Sequence, residues 1–206
     1  AYVFGKTVQE YVQVVEVLEC AEGLAAYELN ISCPNVSKGG THFGSDPRLA
    51  AEVVAAVRKV AKRPLWVKLS PNVTDIATIA RSVEGAGADV LTVANTYIAM
   101  SVDLETRKSR LGNLTGGLSG PAIKPITLRL VNETCQAVRI PVIGLGGIET
   151  AEDAVEYLMV GAAAVQVGTA SFVNPRATEK LVEGLERWCI HNNIFTMNEL
   201  RGILRE

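Results

Sequence analysis

Residues 144–150 read GLGGIET and residues 167–172 read VGTASF. Each glycine-rich turn ends a short apolar run, PVIGLG at 141–146 and AAVQVG at 163–168. Runs this short, and this rich in Val, Ile and Leu, suit parallel strands covered on both faces. YELNIS (27–32), LWVKLS (65–70) and VLTVAN (90–95) repeat the pattern, and YVF (2–4) reads as the tail of one more. Helical periodicity fills the gaps. Over 7–18 it sets Val8, Tyr11, Val12, Val15 and Leu18 on one face. The 46–60 helix opens with Asp46 as cap and Pro47 at the first helical position. A third helix starts at Thr74 and stops at the glycines that follow. Thr150 and Asp153 form a near capping box for a fourth, and Thr196 with Glu199 carries the full form for a final helix over 196–204.

Repeated strand–helix units imply a parallel sheet, doubly wound or closed into a barrel. The position of the glycines decides between them. No GxGxxG follows the first strand, as a dinucleotide fold requires. The glycine-rich turns instead follow the late strands, and (β/α)8 barrels commonly build a phosphate site from the loops after strands seven and eight. The expected fold is α/β, a (β/α)8 TIM barrel forming a single domain over 1–206. Such a barrel takes ~250 residues, and about six of its eight strands are legible. The others are expected before Ala1, because the chain does not open on Met. From Tyr97 to Gly120 the connection is too long for a plain link and reads as a lid or binding loop with structure of its own.

Composition excludes several classes. The 206 residues are 48% hydrophobic and 20% charged, with net charge −2 and no polybasic run, so no nucleic-acid partner is expected. Apolar runs such as YLMVGAAAVQVG are too short and broken to span a bilayer, and no signal peptide is visible. Cys20, Cys33, Cys135 and Cys189 form no CxxC pair and have only His42 and His191 beside them. Neither a metal site nor a disulfide scaffold fits that spacing, and a reducing cytoplasm does.

Barrel chemistry sits at the C-terminal ends of the strands. There the sequence places Asn30, Ser32, Cys33 and Asn35, then Lys68, then Asn95 and Thr96, then Gly146–Gly147 and Gly168–Thr169. Neutral amides suit a flat, amide-rich ligand, and one lysine adds positive charge. Glycines let backbone N–H groups approach a phosphate, helped by the positive end of the following helix. Cys33 alone reads either as a small buried hydrophobe or as a base at a strand end. Cys20, Cys135 and Cys189 read as packed helix thiols, and ETRKSR (105–110) as a solvated stretch. Gly39–Gly40, behind the cysteine, suit a flexible lid.

Taken in order, ELNISCPNVSKGG with FGSDP, VKLSPNVTDI, ANT, GGLSGPAIKP, PVIGLGGIETAEDA and AVQVGTASF resemble the successive motifs of class 1 dihydroorotate dehydrogenase. The resemblance runs from about residue 3 to residue 176. It implies an FMN enzyme that oxidises dihydroorotate to orotate in pyrimidine biosynthesis. Cys33 would be the base that takes the C5 proton while hydride passes from C6 to N5 of FMN. Asn30, Asn35, Asn95 and Thr96 would bind the pyrimidine, with Asn30 also near the flavin. Lys68 would face the N1/O2 edge of the flavin, and Ala94 would touch it through its backbone. Gly120, Gly146, Gly147, Gly168 and Thr169 would hold FMN, chiefly its phosphate.

SKGGTHFG after the cysteine is closer to the NAD-linked class 1B than to the fumarate-using type. Class 1B implies a partner subunit carrying FAD and an iron–sulfur cluster, with NAD as final acceptor; a homodimer of this chain is also expected. The membrane-bound class uses serine as its base, so Cys33 argues against it. Two other readings stand beside this one. The chain could be a flavin oxidoreductase acting on another dihydropyrimidine. It could instead be an inactive phosphate-binding barrel fragment, since the family places a further substrate lysine and an asparagine-bearing loop on strands upstream of those seen here.

Overall fold

Successive residues of a strand point to opposite faces of its sheet, and the two faces meet different neighbours. The computed structural model describes residues 1–32 and 43–205. The chain begins β1 (Tyr2–Val3), α1 (Val8–Glu19), β2 (Tyr27–Asn30), α2 (Pro47–Arg58), β3 (Leu65–Lys68), α3 (Ile76–Gly85) and β4 (Val90–Val93). An excursion follows, with β5 (Tyr97–Ala99), β6 (Val102–Asp103), β7 (Lys108–Ser109) and β8 (Gly116–Leu118). The chain then returns through α4 (Lys124–Ala137), β9 (Val142–Leu145), α5 (Ala151–Met159), β10 (Ala164–Gln166), α6 (Thr169–Val173) and α7 (Ala177–His191).

Among the described residues, β1, β2, β3, β4, β9 and β10 form one parallel sheet in that order. This matches the expectation of about six barrel strands and includes the short YV strand. Tyr27, Leu29, Leu65, Val67, Leu91, Val93 and Val142 are buried in the main apolar cluster, between the sheet and its helices. Burying each Leu or Val contributes roughly 1.5–3 kcal/mol. The alternate residues face the other way, and there Gln166 of β10 reaches Glu28 of β2 (2.7 Å). That contact joins strands four places apart in the sheet order, so the sheet curls as a barrel wall does.

Local chemistry sets the helix starts. Asp46 accepts from the N–H groups of Arg48 (2.8 Å) and Leu49 (3.4 Å), with Pro47 opening α2 as expected. α3 is capped by Asp75, one residue later than the sequence suggests. The Thr150–Asp153 pair closes a complete capping box on α5.

Three segments differ from expectation. The 196–204 helix is not formed: its capping box closes on a single 3-10 turn at Met197–Glu199. Beyond that turn Gly202 takes φ +72°, and the N–H groups of Gly202 and Leu204 bond the carbonyls of Leu158 and Met159 instead. The tail thus caps α5 rather than continuing a helix of its own. α4 escaped the apolar pattern because it buries Thr127 and Thr134, whose hydroxyls donate to the carbonyls of Ile123 (3.1 Å) and Leu130 (2.8 Å). α7 escaped because its buried positions are few, at Ala177, Leu181 and Cys189.

The excursion is structured, as its length predicts. β5 pairs with β8 and β6 with β7, both antiparallel. Cys135 is half-buried and Cys189 buried, as expected of packed thiols, but Cys20 is exposed at the end of α1. Among the described residues no helix is long and apolar enough to cross a membrane. No cluster of His, Cys, Asp and Glu there is suited to a metal ion.

Candidate active site

The sheet ladder continues as single bonds past the strand ends, Leu69 N–H to Thr92 O (2.9 Å) and Asn95 N–H to Leu69 O (3.1 Å). Polar residues beyond the ends are therefore held as firmly as the strands. Asn30, the last residue of β2, is buried and accepts from the Tyr11 hydroxyl at its carbonyl (2.6 Å). Its Oδ1 accepts from Ser32 N–H (3.2 Å), Ser32 Oγ (2.6 Å) and Asn95 Nδ2 (3.3 Å). Asn95 also donates to Ser32 Oγ (2.7 Å) and accepts from Thr96 N–H (2.8 Å). The two predicted amides and Ser32 thus form one rigid network. Cys33, Asn35, the Gly39–Gly40 pair and His42 lie outside the described residues.

Lys68, Ala94, Asn95 and Thr96 line one side of a cleft, and Gly120, Gly146, Gly147, Gly168 and Thr169 line the other. The predicted site residues that are described therefore converge, Asn30 joining through Asn95. The cleft is open at one side, with a cavity volume of about 130 Å³. Lys68 is half-buried, with its ammonium 5.3 Å from the centre of the Tyr2 ring. Burial holds the Lys68 pKa below the ordinary lysine value, and the charge of Glu28 opposes that shift.

Glu28 and Gln166 were missed by the sequence reading. Both break an apolar strand run at inward positions, and that alternation was the available signal. Glu28 accepts from Thr92 Oγ1 (3.0 Å) and Gln166 Nε2 (2.7 Å), and Gln166 lines the cleft. Ser119 was missed as well; it sits in the cleft and accepts from Thr169 Oγ1 (2.7 Å).

The glycine end is shaped by backbone. Gly147 has φ +67°, and a Cβ there would sit 2.8 Å from Gly120 O and 2.9 Å from Lys124 N. Only glycine allows that turn and that approach together. A Cβ on Gly120 would meet nothing within 4 Å, so its backbone borders open space. Behind the turn the buried Tyr157 donates to Gly146 O (2.7 Å), and a Cβ on Gly144 would sit 2.3 Å from the Tyr157 ring.

At the N-terminus of α5, Asp153 Oδ2 takes the N–H groups of Glu149 and Thr150 (2.9 Å each) and Thr150 Oγ1 takes that of Asp153 (3.3 Å), so these three are engaged within the chain. Lys124 is no free cation either: it pairs with Asp153 (2.6 Å) and Glu156 (3.1 Å), and the Asp153 hydrogen bond holds it above the ordinary lysine range. Glu149 is the acidic residue on the lining. This end nevertheless fits the phosphate of FMN. The glycine backbones leave room for it, and Ser119, whose oxygen accepts from Thr169, keeps its own O–H to donate beside them. Lys68 and Gln166, also on the lining, offer charge and hydrogen bonds to its ring.

The chain matches the family model described as dihydroorotate dehydrogenase over residues 1–188. It is 56% identical over 198 residues to the dihydroorotate dehydrogenase B (NAD(+)) catalytic subunit of Desulforamulus reducens, covering 96% of this chain and 65% of that one. It is 54% identical to the subunit of the same name from Trichlorobacter lovleyi, covering 98% and 66%. A relative from Solibacter usitatus, provisionally named dihydroorotate dehydrogenase A (fumarate), is 54% identical, covering 100% and 67%. The chain thus spans about two thirds of the length of these curated relatives. The crystal structure of Eimeria tenella DHODH in complex with ferulenol aligns with TM-score 0.77 at 24% identity, covering 95% of this chain and 57% of that one. At that identity the likeness supports the fold alone.

Proposed function

The chain belongs to the dihydroorotate dehydrogenase family, and from that premise we propose that the whole protein is an FMN-dependent enzyme oxidising dihydroorotate to orotate in pyrimidine biosynthesis, in the cytoplasm. One observation carries the reading: a single cleft joins the amide network at the ends of β2 and β4 to the glycine cradle after β9 and β10. FMN, when bound, supplies the two-electron acceptor for C6 of the substrate. Everything else falls to the chain. Cys33, next after Ser32, takes the C5 proton onto its thiolate. A free thiol titrates near pH ~8.5, so only part is ionised at neutral pH, and a positioned base adds ~10²–10⁴-fold. Asn30, Asn35, Asn95 and Thr96 hold the pyrimidine. The pre-formed Asn30–Ser32–Asn95 network makes that orientation cheap in entropy. Lys68 supplies positive charge at the ring end of the cleft.

We take NAD as the final acceptor, reached through a partner subunit carrying FAD and an iron–sulfur cluster, with the catalytic chain as a homodimer. Support comes from relatives named as NAD(+)-type catalytic subunits. The test is to purify the whole protein and look for a yellow 1:1 FMN complex that dihydroorotate bleaches without oxygen. Cys33→Ser should slow bleaching about 10²–10⁴-fold at neutral pH. A colourless protein, or bleaching unchanged by the substitution, sinks the assignment. Co-purification of an iron–sulfur flavoprotein with NAD reduction supports the subtype, and efficient turnover with fumarate alone refutes it. Sedimentation as a monomer refutes the dimer.

A further inference from the structure

The six sheet strands carry one acidic side chain among the described residues, Glu28 of β2. The reaction as proposed gives it nothing to do, yet it faces the inside of the curled sheet. Its Oε2 accepts from Thr92 Oγ1 (3.0 Å) on β4 and from Gln166 Nε2 (2.7 Å) on β10. A carboxylate can only accept, so the Gln166 amide must turn its nitrogen to Glu28. Its carbonyl oxygen is thereby left for the cleft that Gln166 lines. Lys68, also on the lining, has no ion pair among the described residues, and Glu28 is the anion that favours its charged form.

We propose that Glu28 is a positioning residue for FMN, acting through two neighbours. It orients the Gln166 carbonyl to accept from the flavin ring's N–H, and its negative charge offsets that of Lys68. The inference rests on the FMN reading above and adds a residue to it. Its electrostatic consequence has a definite sign. Anionic reduced FMN carries one more negative charge than the oxidised form, so a nearby carboxylate disfavours reduction. A device that offsets the lysine therefore holds the potential down.

Two substitutions in the whole protein separate the two parts. Glu28→Gln keeps an acceptor oxygen for Thr92 and Gln166 and removes only the charge. It should raise the affinity for reduced over oxidised FMN about tenfold, an upward shift of about 30 mV for a two-electron couple. The dissociation constant for oxidised FMN, read by fluorescence quenching, should change less than about threefold. Gln166→Leu keeps the charge and removes the oriented carbonyl. It should weaken oxidised FMN binding about tenfold, the loss expected of one hydrogen bond, with the potential unchanged.

An E28Q protein whose potential stays put or falls overturns the charge role, and a Q166L protein that binds FMN as wild type does overturns the orienting role. Should E28Q not fold, Q166L still decides, since unchanged FMN affinity refutes the proposal. A wild-type protein that binds no FMN overturns the functional reading and this inference with it. A yellow wild type with silent variants overturns this inference alone.

Discussion

Replacing Tyr157 by Phe deletes one oxygen from a side chain that is fully buried. That oxygen donates to the carbonyl of Gly146 at 2.7 Å, directly behind the glycine turn of the cleft. Burial holds the phenol far above its ordinary pKa, so it stays a donor at every working pH. A neutral hydrogen bond is worth about 0.5–1.5 kcal/mol net, and leaving a buried carbonyl unmet raises the cost to about 1–3 kcal/mol. The expected outcome of Y157F, in urea unfolding of the FMN-free protein, is a loss in that range. FMN affinity should fall as well, by about tenfold if the loosened turn costs the ligand ~1.4 kcal/mol.

Gly144 sharpens the test. A Cβ there would lie 2.3 Å from Tyr157 Cδ1, so Gly144→Ala must push the ring away. Overpacking of this kind costs about 1–3 kcal/mol. If the displaced ring has already lost Gly146, Y157F in the G144A background should cost under ~0.5 kcal/mol, a coupling of at least ~0.5 kcal/mol. Y157F within ~0.5 kcal/mol of wild type, with FMN affinity intact, would show that this bond does not hold the turn.

Two further predictions concern Lys68 and Asn72. Burial keeps the folded pKa of Lys68 below the ordinary lysine value of 10.5, so the unfolded chain binds that proton more tightly. The penalty is then complete at neutral pH and fades as pH rises through the native value towards 10.5. Lys68→Met, without FMN, should be more stable than wild type at pH ~7, with a gap that narrows on the alkaline side; a widening gap contradicts this. Asn72 accepts from Ile98 N–H (2.9 Å) and donates to Thr96 O (3.0 Å), pinning the first residues of the excursion. Asn72→Ala should speed hydrogen exchange at Ile98 about tenfold, and an unchanged rate would show that the excursion is held elsewhere.

Local signals carried much of this architecture. Short Val- and Leu-rich runs marked β2, β3, β4, β9 and β10, and Asp46–Pro47 fixed the start of α2. The late glycine turns pointed to the cleft, because their requirement is a backbone property written in one residue type. What stayed hidden depends on contacts between distant segments. The Thr196–Glu199 box looked like a helix start, but whether a helix follows is decided by Leu158 and Met159, whose carbonyls draw the tail away. Thr127 and Thr134 disguised α4 by satisfying their hydroxyls within it. Glu28 drew no reading, because its partner Gln166 is brought to it only by the curl of the sheet, across 138 residues of chain.

The alternation along the strands has an evolutionary consequence. Leu29 and Val67 answer to the scaffold, while Asn30 and Lys68, their immediate neighbours in sequence, stand in the cleft wall and in the amide network beside it. Selection can therefore redraw the cleft one alternate residue at a time while the residues between keep the sheet sealed against its helices. Such a strand can be retuned to a new flat ligand without first passing through an unfolded ancestor.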